Sequence, residues 1–328
     1  DTLAVVFIAL MGLSVLLYAI LDGYDLGVGM LLPLDNKTHA DTLIASIGPF
    51  WDANETWLVL AVGLLLIAFP QAHSLILKEL YLPAAILLIG LILRGVAFDF
   101  RAKASFSHQA NWNKAFKLGS FLASFAQGYM LGLYVTGFSD SAMSQAFALL
   151  SGFGVCAAYC LIGACWLVMK TEGELQQRSI QIAKRTLLVA FVGTGLVSIV
   201  NLLLNPAVYD KWFSWPIGFF LSPIPLVCGV LFGLTFLLLK HLTAKPDFGA
   251  GMPFILVALI FTLSFAGLGY SFFPYIVPGQ LTIWQTVAAA ESLNFLLYGA
   301  IVVVPTILAY TAYSYRVFWG KVTELRYY

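Results

Sequence analysis

The sequence predicts an all-α polytopic membrane protein. Of its 328 residues 61% are hydrophobic and only 10% charged, too few polar groups to cover a water-soluble globule of this size. Long apolar stretches recur along the chain, each near the ~20 residues that a helix needs to cross a ~30 Å hydrocarbon core. These stretches are continuous rather than alternating apolar and polar, which excludes a membrane β-barrel.

Taken in order, the predicted spans lie near 3–30, 51–69, 80–100, 116–137, 144–169, 182–204, 216–240, 253–273 and 294–318. The first is expected to remain as a span rather than be removed as a leader, because no basic segment precedes it and its apolar run is too long for a signal core. Turn residues cluster at Gly137–Ser144 and at Pro274–Thr282. They divide the chain into 1–140, 141–280 and 281–328, read as a four-helix bundle, a second four-helix bundle and one peripheral helix. Gly23 and Gly27, four apart with Gly29 following, would let another helix approach the first span closely.

Orientation follows from the basic residues. With nine spans, only Lys78 and Lys211 fall on one side and Arg94 lies within a span, so the other 14 of the 17 Lys and Arg share the opposite side. That bias places the N-terminus outside the cytoplasm and the C-terminus inside. The formal net charge of +1 conceals this polarity, and nothing in it points to nucleic acid.

Ionisable residues at membrane depth are expensive and are functional candidates by default. Asp22 and Asp25 end the first span, Asp52 and Glu55 begin the second, and Arg94, Asp99, Arg101 and Lys103 lie toward the exit of the third. Five acids face three bases, so not every carboxylate can own a cation, and a surplus carboxylate in a low dielectric can exchange protons. Asp22 and Asp25, like Asp52 and Glu55, are three apart and share a helix face, and Asp99 and Lys103 are four apart. Arg94 should pair with a carboxylate of the first or second span. Plainer readings stand beside these: Asp52 and Glu55 also form a capping-box pattern, Arg101 and Lys103 fit interfacial positive residues, and Asp22 and Asp25 fit a structural network between helices.

The histidines His39, His73, His108 and His241 all fall in predicted loops or at span ends, so no haem or copper ligand set is expected in this chain. The four cysteines fall inside spans without a C-x-x-C pair and read as packing residues. No metal cluster, phosphate-binding loop or catalytic triad is visible.

The stretches Leu21–Met30 (LDGYDLGVGM), Pro49–Leu58 (PFWDANETWL), Arg94–Arg101 (RGVAFDFR) and Phe273–Pro278 (FPYIVP), the last followed by Leu281–Trp284 (LTIW), closely resemble subunit II of the cytochrome bd-type quinol oxidases. The compact length is most like the cyanide-insensitive branch. The resemblance implies a bacterial inner-membrane respiratory oxidase that oxidises quinol and reduces dioxygen to water. It also implies a heterodimer in which subunit I holds the quinol site, two b-type haems and one haem d, with small single-span accessory subunits and membrane lipid as further partners. In this chain the proton-path role would fall to Asp52, Asp99 and Lys103, with Glu55 and Asp25 contributing. Arg94, Asp22 and Arg101 would pair with or tune them, and Trp57 and Trp51 would lie near an oxygen route or a haem-facing interface. Ala53 stands where the motif usually has Gly. The alternative is an ion-coupled transporter, but such proteins gather their charges at mid-membrane rather than at one end of three spans.

Overall fold

The computed structural model describes residues 2–322, so Arg326 and Tyr328, used in the charge count and topology, lie outside the described residues. The chain forms α1 (Thr2–Met30), α2 (Lys37–Ile47), α3 (Trp51–Ala68), α4 (Pro70–Lys103), α5 (Phe106–Val135), α6 (Ala142–Lys170) and α7 (Gly173–Leu204). These are followed by α8 (Pro206–Phe213), α9 (Ile217–Leu221), α10 (Pro223–Ala244), α11 (Met252–Phe272), β1 (Tyr275–Val277), β2 (Leu281–Thr282), α12 (Ile283–Thr286) and α13 (Ala290–Val317). Among the described residues nine helices are long and apolar enough to cross a membrane, with α9 and α10 together forming the seventh.

The helix boundaries have local causes. Pro70, Pro206 and Pro223 open α4, α8 and α10 at the first helical turn, where a missing N–H costs nothing. Asn36 caps α2, accepting the His39 amide at 3.0 Å. The short elements α2, α8 and α12 and the β1–β2 hairpin were not expected from sequence, because each is too short to carry a span signal. The third, fourth and sixth spans begin well before their apolar runs, at Pro70, Phe106 and Gly173, because polar first turns extend the helix without adding to the apolar signal.

α1 is the hub. It packs along α3, α5 and α6 and touches α11, while α4 lies along α5 and α6 runs along both α5 and α7. Its crossing with α6 depends on glycine: a Cβ on Gly27 would stand 1.8 Å from the Tyr159 carbonyl oxygen, and one on Gly163 would stand 2.7 Å from the Gly27 backbone. The small-residue pattern on α1 thus serves close packing. α13 is peripheral, with only Leu293 and Val304 buried. Its end is tied down by Lys170, whose Nζ donates to the carbonyls of Phe318 (2.9 Å) and Gly320 (3.0 Å). At the other end of the helices, Lys211 of α8 donates to the Tyr270 and Phe273 carbonyls, each at 2.7 Å, and burial lowers its amine from the usual lysine range.

Candidate functional site: a buried ion cluster beside an exposed acidic edge

α3 and α4 are antiparallel neighbours, so the start of α3 and the end of α4 share one end of the molecule with the last turns of α1. Arg94 projects from α4 into this junction and is fully buried. Its Nη1 donates to Asp22 Oδ1 at 2.6 Å, and its Nη2 donates to Asp22 Oδ2 at 3.3 Å and to Glu55 Oε2 at 2.8 Å. The guanidinium fork therefore ties α1, α3 and α4 together through one cation, a geometry lysine does not offer. Its carbon lies 5.6 Å from the centre of the Trp51 ring, which also packs on Phe98 at 5.2 Å. The expected pairing of Arg94 with carboxylates of the first two spans is present.

Asp25 lies one turn beyond Asp22 and is also fully buried, but no cation among the described residues is ion-paired with it. Asn54 Nδ2 donates to its Oδ2 at 2.7 Å, and Oδ1 has no hydrogen-bond partner among the described residues. Asn54 extends this polar line: its amide also donates to the Tyr24 hydroxyl at 3.2 Å, and its carbonyl accepts from the Tyr315 hydroxyl of α13 at 3.1 Å. The two tyrosine hydroxyls are 2.6 Å apart. Asn54, Tyr24 and Tyr315 were not singled out from sequence. Asn54 was detectable as a polar residue between two acids of one motif, but Tyr315 is 261 residues away from Asn54 and carried no signal.

The remaining candidates separate from this cluster. Asp52, Asp99 and Lys103 are exposed, and no ion pair among the described residues joins Asp99 to Lys103. The capping reading of Asp52 is corrected: α3 begins at Trp51, its cap position is Phe50 without a side-chain bond, and the Glu55 carboxylate is held by Arg94. The interfacial reading of Arg101 is corrected as well. Arg101 is fully buried, donates from Nε to Asn113 Oδ1 at 2.6 Å, and is ion-paired with Asp41 of α2, which was not foreseen. Trp57 is buried with its indole N–H unpartnered among the described residues, whereas Trp51 is half-buried. Among the described residues, no group of three or more His, Cys, Asp or Glu is arranged to hold a metal ion.

Residues 3–318 match the family described as cytochrome bd terminal oxidase subunit II. The chain is 29% identical to cytochrome bd-I ubiquinol oxidase subunit 2 of Escherichia coli (strain K12), covering 99% of this chain and 96% of that one. It is 27% identical to cytochrome bd ubiquinol oxidase subunit 2 of Bacillus subtilis (strain 168), covering 93% and 92%. A chain of the solved bd oxidase from Geobacillus thermodenitrificans shares the fold with a TM-score of 0.80 at 20% identity, covering 97% of this chain and 99% of that one. The nine apolar helices and a match that runs almost the whole length agree: the chain belongs to the cytochrome bd terminal oxidase subunit II family.

Proposed function

We propose that this chain pairs with a haem-bearing subunit I in a complex that oxidises quinol and reduces dioxygen to water, and that its α1–α3–α4 junction carries part of the proton supply. The N-terminus then faces the periplasm and the C-terminus the cytoplasm of a bacterial inner membrane. Residues 1–140 form the proton-handling bundle, 141–280 the second bundle and 281–328 the peripheral helix with the cytoplasmic end. The haems, two of b type and one of d type, belong to subunit I in this reading, because the chain's own histidines, His39, His73, His108 and His241, each lie in the first or last turn of a helix rather than at mid-membrane depth; haem and quinol supply the redox chemistry there. Small accessory subunits would sit on the exposed outer helices.

One observation carries the proton-path reading: a fully buried carboxylate, Asp25, stands beside a cation already matched by two other carboxylates. A buried charge without a counter-ion is costly, so such a site is suited to hold a proton and pass it on. Asp52 and Asp99 lie outside this cluster on the same end of α3 and α4, where they can collect protons from water, with Lys103 at the mouth. Asp25 and Glu55 form the inner part, and Arg94 with Asp22 fixes their field. Trp57, buried on α3, and Trp51, beside Arg94, would lie near an oxygen route or the haem-bearing partner.

Replacing Asp52 or Asp99 by Asn keeps size and hydrogen bonding but removes the titratable group. Each variant complex is expected to assemble with wild-type haem content and to lose most of its quinol-driven oxygen consumption. Wild-type turnover in both variants would refute the path, and loss of haem together with activity would reassign these residues to the subunit interface. A reporter fused after Tyr328 should be active only if it works in the cytoplasm.

A further inference from the structure

α1, α5, α6 and α7 leave a groove of about 540 Å³ between them, and none of the ion-cluster residues lines it. Its walls are apolar, formed by residues such as Phe121, Ala157 and Val189, and Lys114 and Lys117 stand at its edge. No carboxylate lines it. Lys114 is exposed and makes no ion pair among the described residues. Lys117 is half-buried and donates to the Leu32 carbonyl at 3.0 Å, which leaves two of its three ammonium hydrogens uncommitted. Asp35, which follows the rim residue Leu34, is exposed and makes no ion pair among the described residues either.

The depth of these groups is set by α5. From Phe106 to Lys117 the helix is polar, and the apolar segment Leu118–Val135 spans about 27 Å at ~1.5 Å per residue, close to the ~30 Å hydrocarbon thickness. Lys114 and Lys117 therefore sit at headgroup level, and the groove below them opens into the acyl region. A ligand there needs a negative charge at one end and a hydrocarbon body at the other. A neutral quinone supplies the body but leaves both ammonium groups without a counter-ion.

We propose that this groove binds one anionic phospholipid, its phosphate on Lys114 and Lys117 and an acyl chain laid against Phe121, Ala157 and Val189. The site is separate from the α1–α3–α4 junction and does not rest on the proton-path reading. Near a membrane surface a lysine contributes a free energy that corresponds to about a fivefold change in affinity for an anionic lipid.

The test is native mass spectrometry of the oxidase complex, delipidated in detergent and then supplied with dioleoylphosphatidylglycerol or dioleoylphosphatidylcholine. The wild-type complex should retain one phosphatidylglycerol in preference to phosphatidylcholine. Lys114→Gln, at an exposed side chain with no ion-pair partner, should weaken retention about fivefold, and Lys114→Gln with Lys117→Gln by on the order of 20- to 30-fold. Ala157→Trp, which fills the groove and leaves both lysines, should abolish the same adduct. Equal retention of the two lipids by the wild type overturns the proposal. So does unchanged phosphatidylglycerol retention in Lys114→Gln, which is readable even if the double variant fails to assemble, or in Ala157→Trp.

Discussion

Two groups of charged residues share one end of this molecule, and they live in opposite environments. Asp22, Asp25, Glu55 and Arg94 form a cluster in which three side chains are fully buried and one cation is shared by two carboxylates. Asp52, Asp99 and Lys103, three to nine positions from cluster members along the same helices, are exposed and carry no ion pair among the described residues. On α4 each helical step turns the side chain by about 100°, so Asp99 and Lys103 point away from the face that carries Arg94, while on α3 Asp52 lies one turn nearer the helix end than Glu55. Arg94 and its two carboxylates are therefore expected to matter for assembly, whereas Asp25 and the exposed group are expected to act on turnover.

The largest expected effect breaks the buried group. Arg94→Met leaves Asp22 and Glu55 without their cation, and removing one partner of a buried pair costs about 3–5 kcal/mol. The complex should fail to accumulate, and Arg94→Lys should recover it only in part because an ammonium lacks the fork. An Arg94→Met complex with wild-type yield and melting temperature would show that the cluster is not structural.

Asp22→Asn is the next step down. It removes the charge of the bidentate acceptor but leaves Glu55 on Arg94, and a loss on the order of 1.5–3 kcal/mol is expected from weakened charged hydrogen bonds. Thermal unfolding of the purified complex measures it.

Asp25→Asn sharpens the comparison, because Asp25 is buried like Asp22 but holds no cation. The new amide oxygen can still accept from Asn54, so the melting temperature should stay close to wild type while oxygen consumption falls. A drop in stability as large as that of Asp22→Asn, with turnover per assembled complex unchanged, would place Asp25 among the structural residues.

On the exposed edge, Asp52→Asn and Asp99→Asn should change stability by no more than about 0.5 kcal/mol, the range of ordinary surface substitutions. Lys103→Gln should have the smallest effect, a modest fall in rate that vanishes at high salt, since an exposed charge acts only within a Debye length of ~8–10 Å. A salt-independent fall would put Lys103 inside the path rather than at its mouth.

Much of this was legible from residues alone. The nine spans follow from apolar run length, and the demand that Arg94 find a carboxylate follows from the cost of burying a guanidinium. The capping pattern at Asp52 misled because the same spacing of acids serves a tertiary ion pair when a cation stands opposite. The interfacial reading of Arg101 failed because α2, with Asp41, folds back over the end of α4, and an eleven-residue helix of mixed polarity leaves no span-like signal.

By itself the sequence determined the solvent, the number of spans, the two-sided charge distribution and the gathering of acids at the ends of three consecutive helices, because all of these depend on local composition and run length. Only the tertiary structure decided that Arg94 takes Asp22 and Glu55 but leaves Asp25, that Asn54 joins Asp25 to Tyr24 and Tyr315, and that Arg101 is sealed while Asp99 stays exposed. Those outcomes depend on how close α1, α3, α4, α6 and α13 come and at what angle they cross. That geometry is set by contacts such as Gly27 against Tyr159 and Gly163, between residues more than a hundred positions apart, which no local pattern encodes.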